Sequence, residues 1–203
     1  MQRIILLTLF ITGSMTLSAQ NVLKVQAGAT IKTTGGAVIT LQDMNLDNDG
    51  TISQAAGEGI FRFTGSANNT ISGNSAPLFD IAEIAKTGNA KLSLQRSVNI
   101  GSAINFTTGL IDLNNNNIFL QPSALLNSES ETSRIIGPNG GYVEITNTLN
   151  NPASLNPGNL GAIISSSQNL GSTVIRRGHA VQSGGGISTS VQRYYDIVPS
   201  NNA

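Results

Sequence analysis

Between Thr30 and Leu113 a short apolar signature returns at nearly constant spacing: Ala-Thr-Ile ending at Ile31, Gly-Thr-Ile at Ile52, Asn-Thr-Ile at Ile71, Ala-Lys-Leu at Leu92 and Gly-Leu-Ile at Ile111. The intervals are 21, 19, 21 and 19 residues. A repeat of that length constrains the fold more than any single motif does. Leucine-rich repeats share the period but need a Leu ladder with a fixed Asn, and helical repeats are longer. β-branched residues separated by Gly, Asn, Asp and Ser suit short strands joined by tight corners. The pattern predicts an all-β fold, a parallel β-solenoid (β-helix) of about 20-residue coils. An ordinary β-sandwich or jelly roll, with a strand every ten or so residues, is the competing architecture. In a solenoid the five anchors should stack at the strand spacing of about 4.7–4.9 Å, with Ile52 and Ile71 on one face.

Composition fits stacked coils. Only nine residues are aromatic and none is Trp, so Ile, Leu, Val and Ala must build the core. Charged residues are 11% of the chain and the formal net charge is zero. A nucleic-acid groove needs clustered Lys and Arg, and none is present. The chain has no Cys, which excludes disulfides, thiolate metal sites and a cysteine nucleophile.

The reading divides the chain into a signal peptide at 1–19, solenoid coils at 20–123, and a β-rich cap or second unit at 124–203. Gln2 and Arg3 open a short positive segment, Ile4 to Ile11 form an apolar run, and Leu17-Ser18-Ala19 supplies a cleavage site before Gln20. The run is shorter than the roughly 17–25 residues of a spanning helix, so no membrane span is expected in the mature chain. No Cys follows it, which excludes a lipoprotein.

Asp43, Asn45, Asp47 and Asp49 alternate with Met44, Leu46 and Asn48. Four oxygen side chains in alternation offer ligands to calcium. An EF-type loop, however, wants Gly where Asn48 stands and Glu where Gln54 stands. A strand ending at the Asp49-Gly50 turn is the other reading. Further along, Gly59 to Phe63 reads as a strand with Arg62 outward. Leu78 to Ile84 reads as a strand with Phe79 and Ile81 inward, a brief helix being the alternative. Asn114 to Asn117 forms a corner, either laddered from coil to coil or simply solvated. Beyond Ser123 the 20-residue period fades. Strands are expected at Tyr142–Thr146, Ala162–Ser166, Thr173–Arg176 and Ser190–Val198.

Three blocks carry a resemblance: Asn156-Pro157-Gly158-Asn159-Leu160-Gly161-Ala162, Gly171 to His179, and Ser190 to Pro199. They resemble the body region of large secreted, adhesin-like surface proteins of Bacteroidetes, exported by the type IX (gliding-associated) route. The resemblance implies a cell-surface or outer-membrane-associated location. Family members end in a C-terminal sorting domain, which does not occur before Ala203, so a fragment is expected. The family brings no catalytic residues with it.

No catalytic, cofactor-binding or metal-binding residue is assigned. His179 is the only His, and no G-x-S-x-G or H-E-x-x-H motif occurs. Arg176, Arg177 and His179 could meet an anionic glycan, but pairing with Glu129, Glu131 or Glu144 is the simpler expectation. Asp80 and Asp112 are the carboxylates that a β-helical glycosidase would need as a pair, yet their separation is not a multiple of the period. The expectation is a non-enzymatic structural or adhesive segment, a stalk or display module that contacts glycans or surface proteins and positions neighbouring domains. A fragment of a β-helical polysaccharide-degrading enzyme is the alternative.

Overall fold

In the computed structural model, which describes residues 21–182 and 192–201, the chain winds about six times with about 22 residues per turn. The expected signal peptide at 1–19, and Ser190 and Val191 of the last expected strand, lie outside those residues. The winding is a parallel β-solenoid with three faces.

The first coil is β1 (Val22–Val25), β2 (Thr30–Ile31) and β3 (Ala37–Gln42), and the second is β4 (Asn45–Asn48), β5 (Thr51–Ile52) and β6 (Gly59–Gly65). The third is β7 (Asn69–Ser72) and β8 (Leu78–Lys86). After β9 (Lys91–Leu94), the long β10 (Val98–Asp112) crosses from the fourth coil into the fifth. β11 (Ile118–Leu120), β12 (Leu125–Asn127) and β13 (Ser133–Ile136) then lead to β14 (Tyr142–Asn150). β10 pairs in parallel with β12 and β13, and β11 with β14, so the coil path runs past residue 123. Only then does the direction reverse. β15 (Asn169–Gly178) lies antiparallel on β14, and β16 (Tyr194–Pro199) antiparallel on β15.

Each face carries inward columns. On the first, Leu23, Leu46, Ile71 and Leu94 are in register, as are Asn69, Leu92, Ile111 and Ile135. On the third, Leu41, Phe63, Ile84 and Phe106 form one column, and Ile39, Phe61, Ala82, Ile104 and Leu126 another. Apolar side chains at alternate positions, repeated in each layer, are what bury enough surface to hold so thin a core. Phe79 fills its middle, with its ring 4.8 Å from that of Phe61 and 5.9 Å from that of Phe63. Ala82, small, sits beside Phe61 in the column.

The five anchors therefore do not make one column. Ile31 pairs with Ile52 on the second face, and Leu92 with Ile111 on the first. Ile71 lies on the first face, opposite Leu46 and Leu94, on a strand that does not neighbour that of Ile52. Ladder contacts between adjacent coils span 21 residues for Arg62–Glu83 and 25 for Thr70–Asn45. Corners of unequal length absorb the difference, so a fixed period drifts off register while the solenoid itself persists.

Two local expectations also change. Leu78–Lys86 is a strand, but Phe79 and Asp80 are both buried and Ile81 turns outward. A corner at Phe79–Asp80 breaks the alternation. Residues 162–166 form no strand: Ile164 makes one isolated antiparallel bridge to Leu155. The loop is shaped instead by Pro157 in a short 3-10 turn and by Gly161 at φ 88°.

The corner between third and first faces is built around a buried cation. Lys86 is 1% exposed; its Nζ donates to the Thr64 carbonyl at 2.8 Å and to Asn69 Oδ1, and lies 3.6 Å from Asp43. Gly109, at φ 92°, passes so close that an added Cβ would sit 2.5 Å from Lys86 Cβ.

Candidate functional site

The outer face is a set of coil-to-coil ladders. Lys24 meets Asp47 and Asp49, Arg62 meets Glu83 at 2.9 Å, and Lys91 meets Asp112 at 2.6 Å. Asn127 donates to Asn105 at 2.9 Å. In the Asn114–Asn117 corner, Asn114 and Asn116 both donate to the Leu94 carbonyl, and Asn139 donates to Asn114. That corner is laddered as well as tight.

The oxygens at 43–49 are divided among different partners. Asp43 accepts from the Ala67 N–H, Asn45 from Thr70, and Asp49 from Lys24 and Asn74. The Ala67 N–H, with the charge of Lys86, holds Asp43 below the ordinary carboxylate range, and Lys24 does the same for Asp49. Among the described residues, no three His, Cys, Asp or Glu side chains converge as a metal site would require.

Asp80 and Asp112 are not brought together. Asp80 is buried in a polar chain along one corner: Gln54 donates to Thr33 Oγ1 and accepts from the Asp80 N–H, while Ser102 Oγ donates to Asp80 Oδ1. Asp112 lies on the first face, held by Lys91 and by the Asn114 N–H. Each carboxylate is committed to its own neighbours.

The polar cluster with most chemistry lies where the ribbon folds back on the last coils. Arg177, 1% exposed, donates from Nη1 to Glu129 Oε2 at 2.8 Å and from Nη2 to Oε1 at 2.9 Å. Nη1 also reaches the Leu160 carbonyl, which accepts from Tyr195 Oη too. Burial pushes Glu129 upward, but Arg177 and the Ile135 N–H outweigh it and leave the carboxyl below its ordinary value. Arg176 is spent on Glu144 at 2.7 Å and Asp196 at 3.2 Å, across three strands, and lies over the Tyr142 ring at 5.2 Å. The expected pairing of these arginines with Glu129 and Glu144 is therefore observed. His179 is buried, and its Nε2 has no hydrogen-bond partner among the described residues. Burial, then the charges of Arg177 and Arg193, lower its pKa to about 3.

Around this cluster two adjoining clefts open, of about 670 and 320 Å³, both lined by Arg134 and Arg193. In the sequence Arg134 belongs to the charged stretch of Glu129 and Glu131, and Arg193 to the last block of the resemblance, and neither stands out as a site residue. They stand on β13 and just before β16, and only the fold-back of the ribbon joins them.

Compared with family models, with curated proteins and with solved structures, the chain finds no match. Its class is defined by its fold: an all-β parallel β-solenoid scaffold, closed by an irregular capping β region. No helix among the described residues is long and apolar enough to cross a membrane.

Proposed function

We propose that the chain is a segment of an extracellular surface protein, a stalk or display module that positions neighbouring domains and makes weak, multivalent contact with glycans or surface proteins. The observation that carries this reading is the stack itself. About six coils at strand spacing make a column roughly 25–30 Å long. Its outward side chains are laddered from coil to coil, so one chain presents a stiff surface on which weak contacts add.

Two sequence features support the location: the signal-peptide pattern of residues 1–19 and the resemblance to type IX-exported surface proteins of Bacteroidetes. Catalysis has no part in this reading, since Asp80 and Asp112 are tied separately into the scaffold.

The test uses beads coated with the full chain and surfaces bearing glycans or surface-protein extracts. Dense coating should give retention that sparse coating does not. Exported material should begin at Gln20. Retention no better than that of uncoated beads would end the adhesive reading. Hydrolysis of a polysaccharide, lost in Asp80→Asn or Asp112→Asn, would replace it with an enzymatic one.

A further inference from the structure

Among the described residues, Arg134 and Arg193 are the two cations whose side chains the fold leaves over. Of the other eight Lys and Arg among the described residues, seven stand in ion pairs and Arg96 donates to the Asn74 carbonyl. The side chains of Arg134 and Arg193 have neither an ion pair nor a hydrogen bond among those residues, yet both line the same two clefts. Glu129 is engaged on both oxygens by Arg177 and on one by the Ile135 N–H, so Arg193 feels its charge without a direct ion pair. Glu131, exposed, lines the outer cleft.

The inner cleft adds groups of a different kind. His179 is 6% exposed and lines it, and its Nε2 is buried without a partner among the described residues. The imidazole is uncharged at neutral pH, so it exchanges hydrogen bonds rather than adding a third cation. Gln192 lines the same space, whose volume of about 320 Å³ lies at the lower end of the roughly 300–1,000 Å³ of small-ligand sites. Two guanidinium groups suit a planar carboxylate, which they can grip through paired N–H donors. A neutral imidazole and an amide beside them suit hydroxyl groups.

We propose that this cleft binds a carboxylated sugar residue of an acidic polysaccharide, with Arg134 and Arg193 holding the carboxylate and His179 and Gln192 meeting ring hydroxyls. The proposal rests on the adhesive reading above and gives it a ligand class.

Calorimetry on the full chain tests it with a short oligogalacturonate, its methyl ester, a neutral galactan oligomer and a polyglutamate peptide. The oligogalacturonate should bind, and less tightly as salt is raised. The methyl ester and the galactan should lose roughly tenfold or more. Arg134→Gln and Arg193→Gln should each lose a similar factor at an unchanged Tm. Glu131→Gln should bind the oligogalacturonate more tightly, a gain that misfolding would not produce. Equal affinity for the methyl ester, or for the peptide, would overturn the proposal, as would indifference to both Arg substitutions. If no acidic saccharide binds while coated beads still adhere, the cleft proposal falls and the adhesive reading stands. If oligogalacturonate binds through the arginines but beads do not adhere, the site stands and the adhesive reading falls.

Discussion

Glu129 and Arg177 face each other across the join between the coils and the ribbon, with two parallel hydrogen bonds of 2.8 and 2.9 Å. Arg177 is the largest of the fully buried side chains among the described residues, so this pair locks the ribbon onto the scaffold by a charged contact buried on the arginine side and partly open at Glu129. Removing one partner strands the other in a low-dielectric site. Glu129→Gln or Arg177→Leu should each cost about 3–5 kcal/mol, measured by denaturant unfolding. The double replacement Glu129→Leu with Arg177→Leu should recover part of that loss. Additive losses in the cycle would show that the two groups are not coupled.

His179 gives stability a pH dependence whose sign follows from its burial. Its folded pKa is about 3 against an ordinary 6.5, so between those values the unfolded chain binds the extra proton. Stability from this group is fully present above pH 6.5 and is lost as pH falls toward 3, by up to about 1.4 kcal/mol per pH unit. Glu129 works in the same direction at the acid end. Its folded pKa is lowered, so its contribution is present above the unfolded carboxylate value and lost as pH falls through the folded one. Unfolding free energies followed downward from pH 7 should decline more steeply in the parent than in His179→Asn. Equal slopes would rule out a neutral, buried His179.

Ile71 is 2% exposed and lies between Leu46 and Leu94 in the first-face column. Ile71→Asp would bury a carboxylate among apolar neighbours, at a cost of several kcal/mol, about the whole stability of an ordinary domain. Thr70→Ser, one residue away and half-exposed, should stay within about 0.5 kcal/mol. Circular dichroism and denaturation of the pair measure the contrast, and similar behaviour would contradict the column.

Gly109 and Gly57 share a positive φ, 92° and 81°, but only Gly109 has a neighbour against its missing Cβ. Gly57→Ala should cost only the backbone strain, about 1–2 kcal/mol. Gly109→Ala adds a clash with Lys86 and should cost clearly more. Thermal unfolding compares them directly, and equal losses would mean that the corner relaxes freely around Lys86.

Much of the architecture was legible in the residues, because alternation and turn chemistry are local. The pairs Ile31–Ile52 and Leu92–Ile111 follow the repeat as read. Ile71 does not, because corner lengths differ between coils and register is set by pairing, not by counting. Ile81, expected inward, was misplaced for a related reason: strand parity carries no mark of the corner that turns Phe79 and Asp80 inward together. In the ribbon, Arg176 and Arg177 were expected to pair with Glu129, Glu131 or Glu144, but which takes which depends on the antiparallel register that sets Glu144 opposite Arg176. Arg134 and Arg193 had no signal of their own. Unpaired cations are recognisable only after every paired one has found its partner.

The ladders carry a mechanical consequence. Lys24–Asp47, Arg62–Glu83 and Lys91–Asp112 each reach one coil and no further. Damage in such a stack is felt by adjacent layers and fades beyond them. Among the described residues β1 has a coil on one side only, whereas β14 is flanked by β11 and β15. Under tension or heat the column should therefore fray directionally, peeling from β1 while the Glu129–Arg177 clasp holds the far end shut.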